Sequence, residues 1–244
     1  MIKPVIIVPC FNHGDAFANV AEKLVEYKTP VIVVDDGSIP AQSKKIKNIC
    51  SKHKFLYVKN LVNGGKGAAM ILGFQSAITK GFTHALQIDA DGQHDIRDIP
   101  LFLKIAQSHP NELIIGNPIY DESAPRARLV GRKITNFWVM VETFNKNMPD
   151  TMCGFRVYPL KAIEPVLKTI KFKRMGFDIE IIVKAYRCGI KIISVPTKVI
   201  YPENGTSNFH AFRDNFYISL LHTYLCCLIP TWLIRRVLHH EKNK

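Results

Sequence analysis

Short, unbroken apolar runs separated by helix-like stretches most constrain how this chain can fold. Residues 5–8 read as a strand, followed by a helix over 16–27 with Asp15 placed to cap it. Residues 31–34 precede a helix over 41–51, and 55–59 precede one over 68–80 that Gly81 closes. Residues 85–88 precede a helix over 99–107, and 113–115 form the next run. Strands that are apolar at consecutive positions are buried on both faces. Alternating with helices, they specify an α/β fold: a mostly parallel sheet flanked by helices. Ligands of such sheets bind beyond the carboxyl ends of the strands. Asn12, Asp35-Asp36, Asn63 and Asp89 fall at those ends.

The second half is less regular, with a helix over 130–145, a short strand over 154–158, a helix over 177–187 and a strand over 192–195. No linker separates two domains. With 244 residues and 47% hydrophobic content, the chain can bury one sizeable core plus an appendage. The six cysteines form no C-x-x-C pair and no zinc-like spacing, which suits reduced thiols in a cytosolic protein. Pro9 interrupts the first apolar run too early for the h-region of a signal peptide.

The formal net charge of +13 implies polyanionic partners. The basic residues are scattered and form no aromatic-interleaved nucleic-acid motif, so a membrane surface and phosphorylated ligands fit better than nucleic acid. From Asn215 to Ile234 there is no Asp, Glu, Lys or Arg, a length close to the ~20 residues of a spanning helix. His222, Thr223 and Pro230 argue against spanning. Phe212, Phe216, Tyr217 and Trp232, followed by Arg235-Arg236, suit a helix lying in the interface. The expected division is therefore residues 1–207 as the α/β domain and 208–244 as a helical, membrane-associated tail. Packing on the core or on a second copy, as a homodimer, is the plainer alternative for the tail.

Asp89-Ala-Asp-Gly-Gln93 follows the fourth strand. Two carboxylates two residues apart invite a hard divalent cation, Mg²⁺ or Mn²⁺, which usually also holds substrate phosphates. The same sequence is a good turn. Asp35-Asp36-Gly-Ser38 offers carboxylates to a ribose or base, or simply caps a turn. Asn63-Gly-Gly-Lys-Gly67 opens a helix whose N-terminus favours anions, with Lys66 adding charge, yet it lacks the Walker A spacing. Asp150 and Arg156 flank a strand start and could bind each other. Asp178 and Glu180 sit near a helix start, as dipole partners or as a general base.

In this order, the segments 5–12, Val33-Val-Asp-Asp-Gly-Ser38, Asn63 to Ala68, Asp89-Ala-Asp-Gly-Gln-His-Asp95, Asp150 to Arg156 and Gly176 to Glu180 resemble the inverting family 2 glycosyltransferases. The resemblance covers roughly residues 3–205 and is strongest to the polyprenyl-phosphate (dolichol-phosphate-mannose-synthase-like) branch. It implies a GT-A fold. It also implies that Pro9 and the Asn12 loop line the base, that Asp36 with Asp35 beside it holds base or ribose, and that Lys66 lies near the nucleotide. Asp89 and Asp91 would bind metal and diphosphate, with Gln93 as a further metal ligand. Asp150 would face the sugar, Arg132 and Arg156 would meet an acceptor phosphate, and Asp178 or Glu180 would be the base for a hydroxyl acceptor. His13 replaces the family's usual glutamate, and the loop Glu203 to Asn208 lacks its Arg and Lys.

The function that follows is metal-dependent, inverting transfer of a sugar from a UDP- or GDP-sugar to a lipid-linked or envelope glycolipid acceptor. The enzyme would sit on the inner face of the cytoplasmic membrane. Two rivals are a sugar-1-phosphate nucleotidyltransferase and a non-catalytic module that binds membrane surfaces. The first normally opens with a Gly-rich loop after strand one, which Pro9-Cys-Phe-Asn-His-Gly14 lacks.

Overall fold

A computed structural model of the chain describes residues 1–120, 124–199 and 211–242. Seven strands form one sheet: β1 (Pro4–Cys10), β2 (Val31–Asp36), β3 (Leu56–Asn60), β4 (His84–Gln87), β5 (Leu113–Tyr120), β6 (Arg156–Pro159) and β7 (Ile192–Val199). Their spatial order is β3-β2-β1-β4-β6-β5-β7. Neighbours run parallel except β6, which is antiparallel to both β4 and β5.

The alternation along β1 shows why these strands must be covered twice. Ile6, Val8 and Cys10 face a core shared with Phe17, Leu24 and Phe102, from helices α1 (Gly14–Leu24) and α4 (Ile99–Ser108). Val5 and Ile7 face a second core with Phe74, Tyr158 and Phe177, on the side of α3 (Lys66–Thr79) and α7 (Phe177–Arg187). Burying each such large side chain is worth roughly 1.5–3 kcal/mol. Helix α2 (Pro40–His53) flanks the β2–β3 edge through Ile46 and Cys50. A third, smaller core joins α5 (Arg126–Thr143), α7 and α8 (Ala211–Cys227) through Val139, Ile179, Val183, Leu221 and Leu225.

The structure departs from the sequence expectations in the bounds of several elements, β5 running to Tyr120 and β7 to Val199, and in the features that follow. Asp15 does not cap α1: it lies in the first turn and pairs with Lys45, and His13 occupies the cap position without a capping side-chain bond. Residues 160–167 form a helix, α6 (Leu160–Leu167), that the apolar pattern alone did not reveal. At its start the tail follows the plainer alternative and packs on the core. Glu142 and His222 meet at 2.6 Å between α5 and α8, both buried, and Arg187 donates to the carbonyls of Glu142 and Leu225. Pro230, in the first turn, then starts a separate helix, α9 (Ile229–Lys242). Its Trp232 stacks near Phe144 at 6.1 Å and donates its indole N–H to the Arg187 carbonyl. The expected 207/208 boundary and the 203–208 loop lie outside the described residues.

Register decides what gathers at one edge. Cys10 pairs with Asp35, Asp36 with Asn60, and Ile7 with Gln87, so the carboxyl ends of β1 to β4 share that edge. Because β6 runs backwards, its first residue, Arg156, pairs with Gln87 and joins them.

Candidate active site

A cleft of about 1410 Å³ opens at that edge. One end is lined by Pro9, Asp36, Lys66, Asp89, Asp91 and Gln93, and the other by Ile134, Trp138, Ile218 and His222 on α5 and α8. Asp178 and Arg132 also line it.

The Asp-x-Asp segment is both a turn and a carboxylate pair. Gly92 takes φ +74°, and the Gln93 backbone N–H donates to Asp91 Oδ1 at 3.0 Å, which fixes that side chain. Asp89 is clamped by Lys66, whose Nζ lies 2.9 Å from its carboxylate and 2.8 Å from Asp178 Oδ2. Burial alone would raise the Asp89 carboxyl, but Lys66 and then His94, 3.6 Å away, hold it well below the ordinary carboxylate range. Asp91 is pushed up, first by burial and then by the charge on Asp89. Asp89 Oδ1 is buried, and the Lys66 ammonium lies 2.9 Å from it. Two buried carboxylates crowded enough for one to push the other's pKa up are a donor set that fits a divalent cation. Among the described residues no third His, Cys, Asp or Glu completes a protein cage, which matches an ion that shares its shell with substrate phosphates and water.

Glycines make this packing possible. A Cβ on Gly154 would come within 2.3 Å of Asp89 Oδ2 and 2.9 Å of Lys66 Nζ. Gly65 caps α3 at φ +90°, ψ 167°, a region only glycine adopts freely.

Several expected ligands are committed elsewhere. Asp35 is wholly buried and accepts from the Ser38 N–H, the Ser43 hydroxyl and the Tyr57 hydroxyl, so it organises the β2 turn and does not face the cleft. Asn12, at φ +56°, uses its side-chain oxygen to accept from the Ile39 N–H, leaving Pro9, Phe11 and His13 to line the cleft. Asp36 lines the cleft but already accepts from Asn60, Asn63 and the N–H groups of Gly64 and Gly65. Those loop amides are therefore donated to a carboxylate, and the Gly67 N–H to the Lys173 carbonyl. The anion-binding capacity of the loop rests on the Lys66 side chain.

Arg156 is corrected as an acceptor ligand. It is wholly buried and donates to the carbonyls of Thr151, Cys153 and Asp178 and to the Tyr158 hydroxyl. Glu180 is corrected as a base: also wholly buried, it pairs with Lys184 at 2.6 Å and accepts from the N–H groups of Lys171 and Phe172. Asp150 pairs with Arg132 at 2.6 Å and accepts from the Tyr120 hydroxyl, and it is not among the residues lining the cleft. The suggested Asp150–Arg156 pair is thus replaced by Asp150–Arg132 and Arg156–Asp178. His94 was missed as a neighbour of Asp89. Its only sequence signal is its place five residues on in the same segment.

Residues 5–167 match the model of the glycosyl transferase family 2. The chain belongs to that family. It is a glycosyltransferase with a GT-A fold, and that membership displaces both the nucleotidyltransferase and the binding-module readings. The UDP-N-acetylglucosamine–dolichyl-phosphate N-acetylglucosaminyltransferase of Methanococcus voltae is 26% identical, over 88% of this chain and 94% of its own. The undecaprenyl-phosphate mannosyltransferase of Micrococcus luteus is 25% identical, over 82% and 85%. Among solved structures, glucosyl-3-phosphoglycerate synthase from Mycobacterium tuberculosis, in complex with Mn²⁺, UDP and glucosyl-3-phosphoglycerate, superposes with a TM-score of 0.67 at 15% identity. That match covers 92% of this chain and 80% of the other.

Proposed function

We propose that this glycosyltransferase moves a sugar from a nucleoside diphosphate, UDP or GDP, to a polyprenyl-phosphate-type lipid at a membrane surface, with inversion. The observation that carries this reading is the continuity of the cleft from the Asp89–Asp91 carboxylates to α5 and α8, where Arg128, Arg132 and Arg213 stand beside Ile134, Trp138 and Ile218. A diphosphate at the carboxylate end and a lipid phosphate at a basic and partly apolar end suit one such groove. The names of the Methanococcus and Micrococcus relatives, both lipid-phosphate enzymes, support the same acceptor class.

Asp89 and Asp91, with Gln93 beside them, would hold a Mn²⁺ or Mg²⁺ ion. Such an ion neutralises charge that develops on a leaving diphosphate. Lys66 adds a second positive charge at the same place. Pro9, Phe11 and His13 would line the base, and Asp36 holds the Asn63–Gly65 loop at the same edge of the cleft. Arg132, pinned by Asp150, offers its guanidinium to the acceptor phosphate. An acceptor phosphate is already ionised and needs no protein base. Asp178 suits that chemistry, because it stands between Lys66 at 2.8 Å and Arg156 at 3.4 Å as a fixed counter-charge.

Away from the cleft, α5, α8 and α9 expose Phe137, Phe212, Phe216, Leu220, Ile234 and Leu238. The segment Phe212–Leu238 is long and apolar enough to cross a membrane, and only 22% of its most apolar window is buried. We assign this band to the interface of the cytoplasmic leaflet, where aromatic and aliphatic side chains enter the headgroup boundary and Arg235-Arg236 meet anionic lipid. A thermal-shift panel of UDP, GDP and ADP with and without Mn²⁺ tests the donor side. Stabilisation by one uridine or guanosine diphosphate that requires the ion is expected, and no ion-dependent shift with any of them would count against it.

A further inference from the structure

Lys66 stands where a cation bound to Asp89 would have to share the carboxylate. Its ammonium lies 2.9 Å from Asp89 and 2.8 Å from Asp178, so it is held from both sides. The contact is built into the sequence at a third point, since any residue but glycine at 154 would press within 2.3 Å of Asp89 and 2.9 Å of Lys66. Lys66 is also the first residue of α3, fixed by the Gly65 cap and by the hydrogen bond from the Gly67 N–H to Lys173. Its backbone is anchored, and its ammonium lines the cleft on a flexible four-carbon stem.

A +1 ammonium and a +2 ion on one carboxylate repel each other, and the low effective dielectric of a protein site leaves that repulsion only partly screened. We propose that Lys66 is an internal competitor for the divalent cation, which makes metal binding depend on the nucleoside diphosphate. The diphosphate oxygens give the ammonium a new partner and so release Asp89 to the ion. Metal and nucleotide then bind cooperatively, and by linkage each strengthens the other to the same degree. This rests on the metal reading of Asp89 and Asp91 given above. Lys66 is a positioning residue in this scheme, acting on the ion's access and on the order of binding.

The test is Mn²⁺ titration followed by the EPR signal of the free ion, with no acceptor and no turnover. It uses the full chain as wild type, Lys66→Gln, Lys66→Arg and Asp91→Asn, each alone, with UDP and with GDP. The wild type should bind Mn²⁺ weakly alone, and about tenfold or more tightly with one of the nucleotides. Lys66→Gln should bind Mn²⁺ alone about tenfold more tightly than the wild type, as removal of a neighbouring positive charge requires. It should also lose most of the nucleotide coupling. Lys66→Arg keeps the charge and should behave as the wild type, which separates competition from a packing effect. Mn²⁺ affinity unchanged in Lys66→Gln, with coupling intact, overturns the proposal while the metal site stands. Mn²⁺ binding that is absent from every variant, or indifferent to Asp91→Asn, overturns both.

Discussion

Arg156 Nη1 lies 3.4 Å from Asp178 Oδ1, and with its other donors it ties the start of β6 to the start of α7 beneath the cleft. A buried charge with so many satisfied donors is costly to remove. Breaking such a pair from one side typically costs about 3–5 kcal/mol. Arg156→Ala should lose stability on that scale in urea denaturation, and Arg156→Lys should lose less. An Arg156→Ala protein as stable as the wild type, with only its acceptor affinity reduced, would return this arginine to the acceptor site.

Asp178 has the reach of a base but the surroundings of a counter-ion. If the acceptor is a phosphate, Asp178→Asn should lower kcat modestly and leave the shape of the pH–rate profile unchanged. A general base contributes about a hundredfold or more, and its loss removes the acidic limb of the profile. Turnover measured from pH 5 to 9 distinguishes the two, and loss of that limb would establish a hydroxyl acceptor or a different proton path.

Asp35 gives a pH dependence with a definite sign. Burial raises its carboxyl, but the hydrogen bonds from Ser38, Ser43 and Tyr57 outweigh that and leave it below its ordinary value of 3.8. The folded state therefore binds its proton less readily than the unfolded chain. The stability it contributes is fully present above 3.8 and is lost as the pH falls through the depressed value. Asp35→Asn should cost about 1–3 kcal/mol at neutral pH, because donors lose their acceptor. It should also flatten the wild-type decline in denaturation midpoint below pH 3.8. An identical acid limb in both proteins would contradict the assignment.

The exposed face of α8 is the part of the chain assigned to lipid. Phe216 and Leu220 both point outward, one helical turn apart. Phe216→Glu with Leu220→Glu removes two apolar side chains worth roughly 1.5–3 kcal/mol each when buried. Flotation with phosphatidylglycerol vesicles should then fall about tenfold or more, with the thermal midpoint unchanged. Undiminished flotation would place the contact elsewhere.

Much of the fold was legible because the strands are apolar at consecutive positions: all seven coincide with runs or short strands visible in the sequence, and α7 begins and ends where its pattern does. The antiparallel direction of β6 was not legible, since no local signal records which way a four-residue strand enters a sheet. The side-chain partners around the cleft were hidden for the same reason. Asp150 and Arg156 are close in sequence, yet the reversed β6 carries Arg156 under Asp178, while α5 brings Arg132 to Asp150. In one dimension Asp35 reads as a ligand or a turn cap, and Glu180 as a dipole partner or a base. Only the packing shows Ser43, Tyr57 and Lys184 meeting them. The tail's composition gave its apolarity but concealed the Glu142–His222 pair, which places α8 in the body of the protein.

The central claim is that Asp89 and Asp91 anchor the donor for transfer to a lipid phosphate. Its most direct test is transfer of radiolabelled sugar from UDP- and GDP-sugars to undecaprenyl phosphate in detergent, for the wild type and Asp91→Asn, with Mn²⁺ or with EDTA. Labelled lipid is expected from the wild type with Mn²⁺, with a loss of about a hundredfold or more in EDTA and in the variant, the scale of removing a main charge stabiliser from a transition state. An Asp91→Asn protein that transfers at the wild-type rate, or transfer that is indifferent to EDTA, would contradict it.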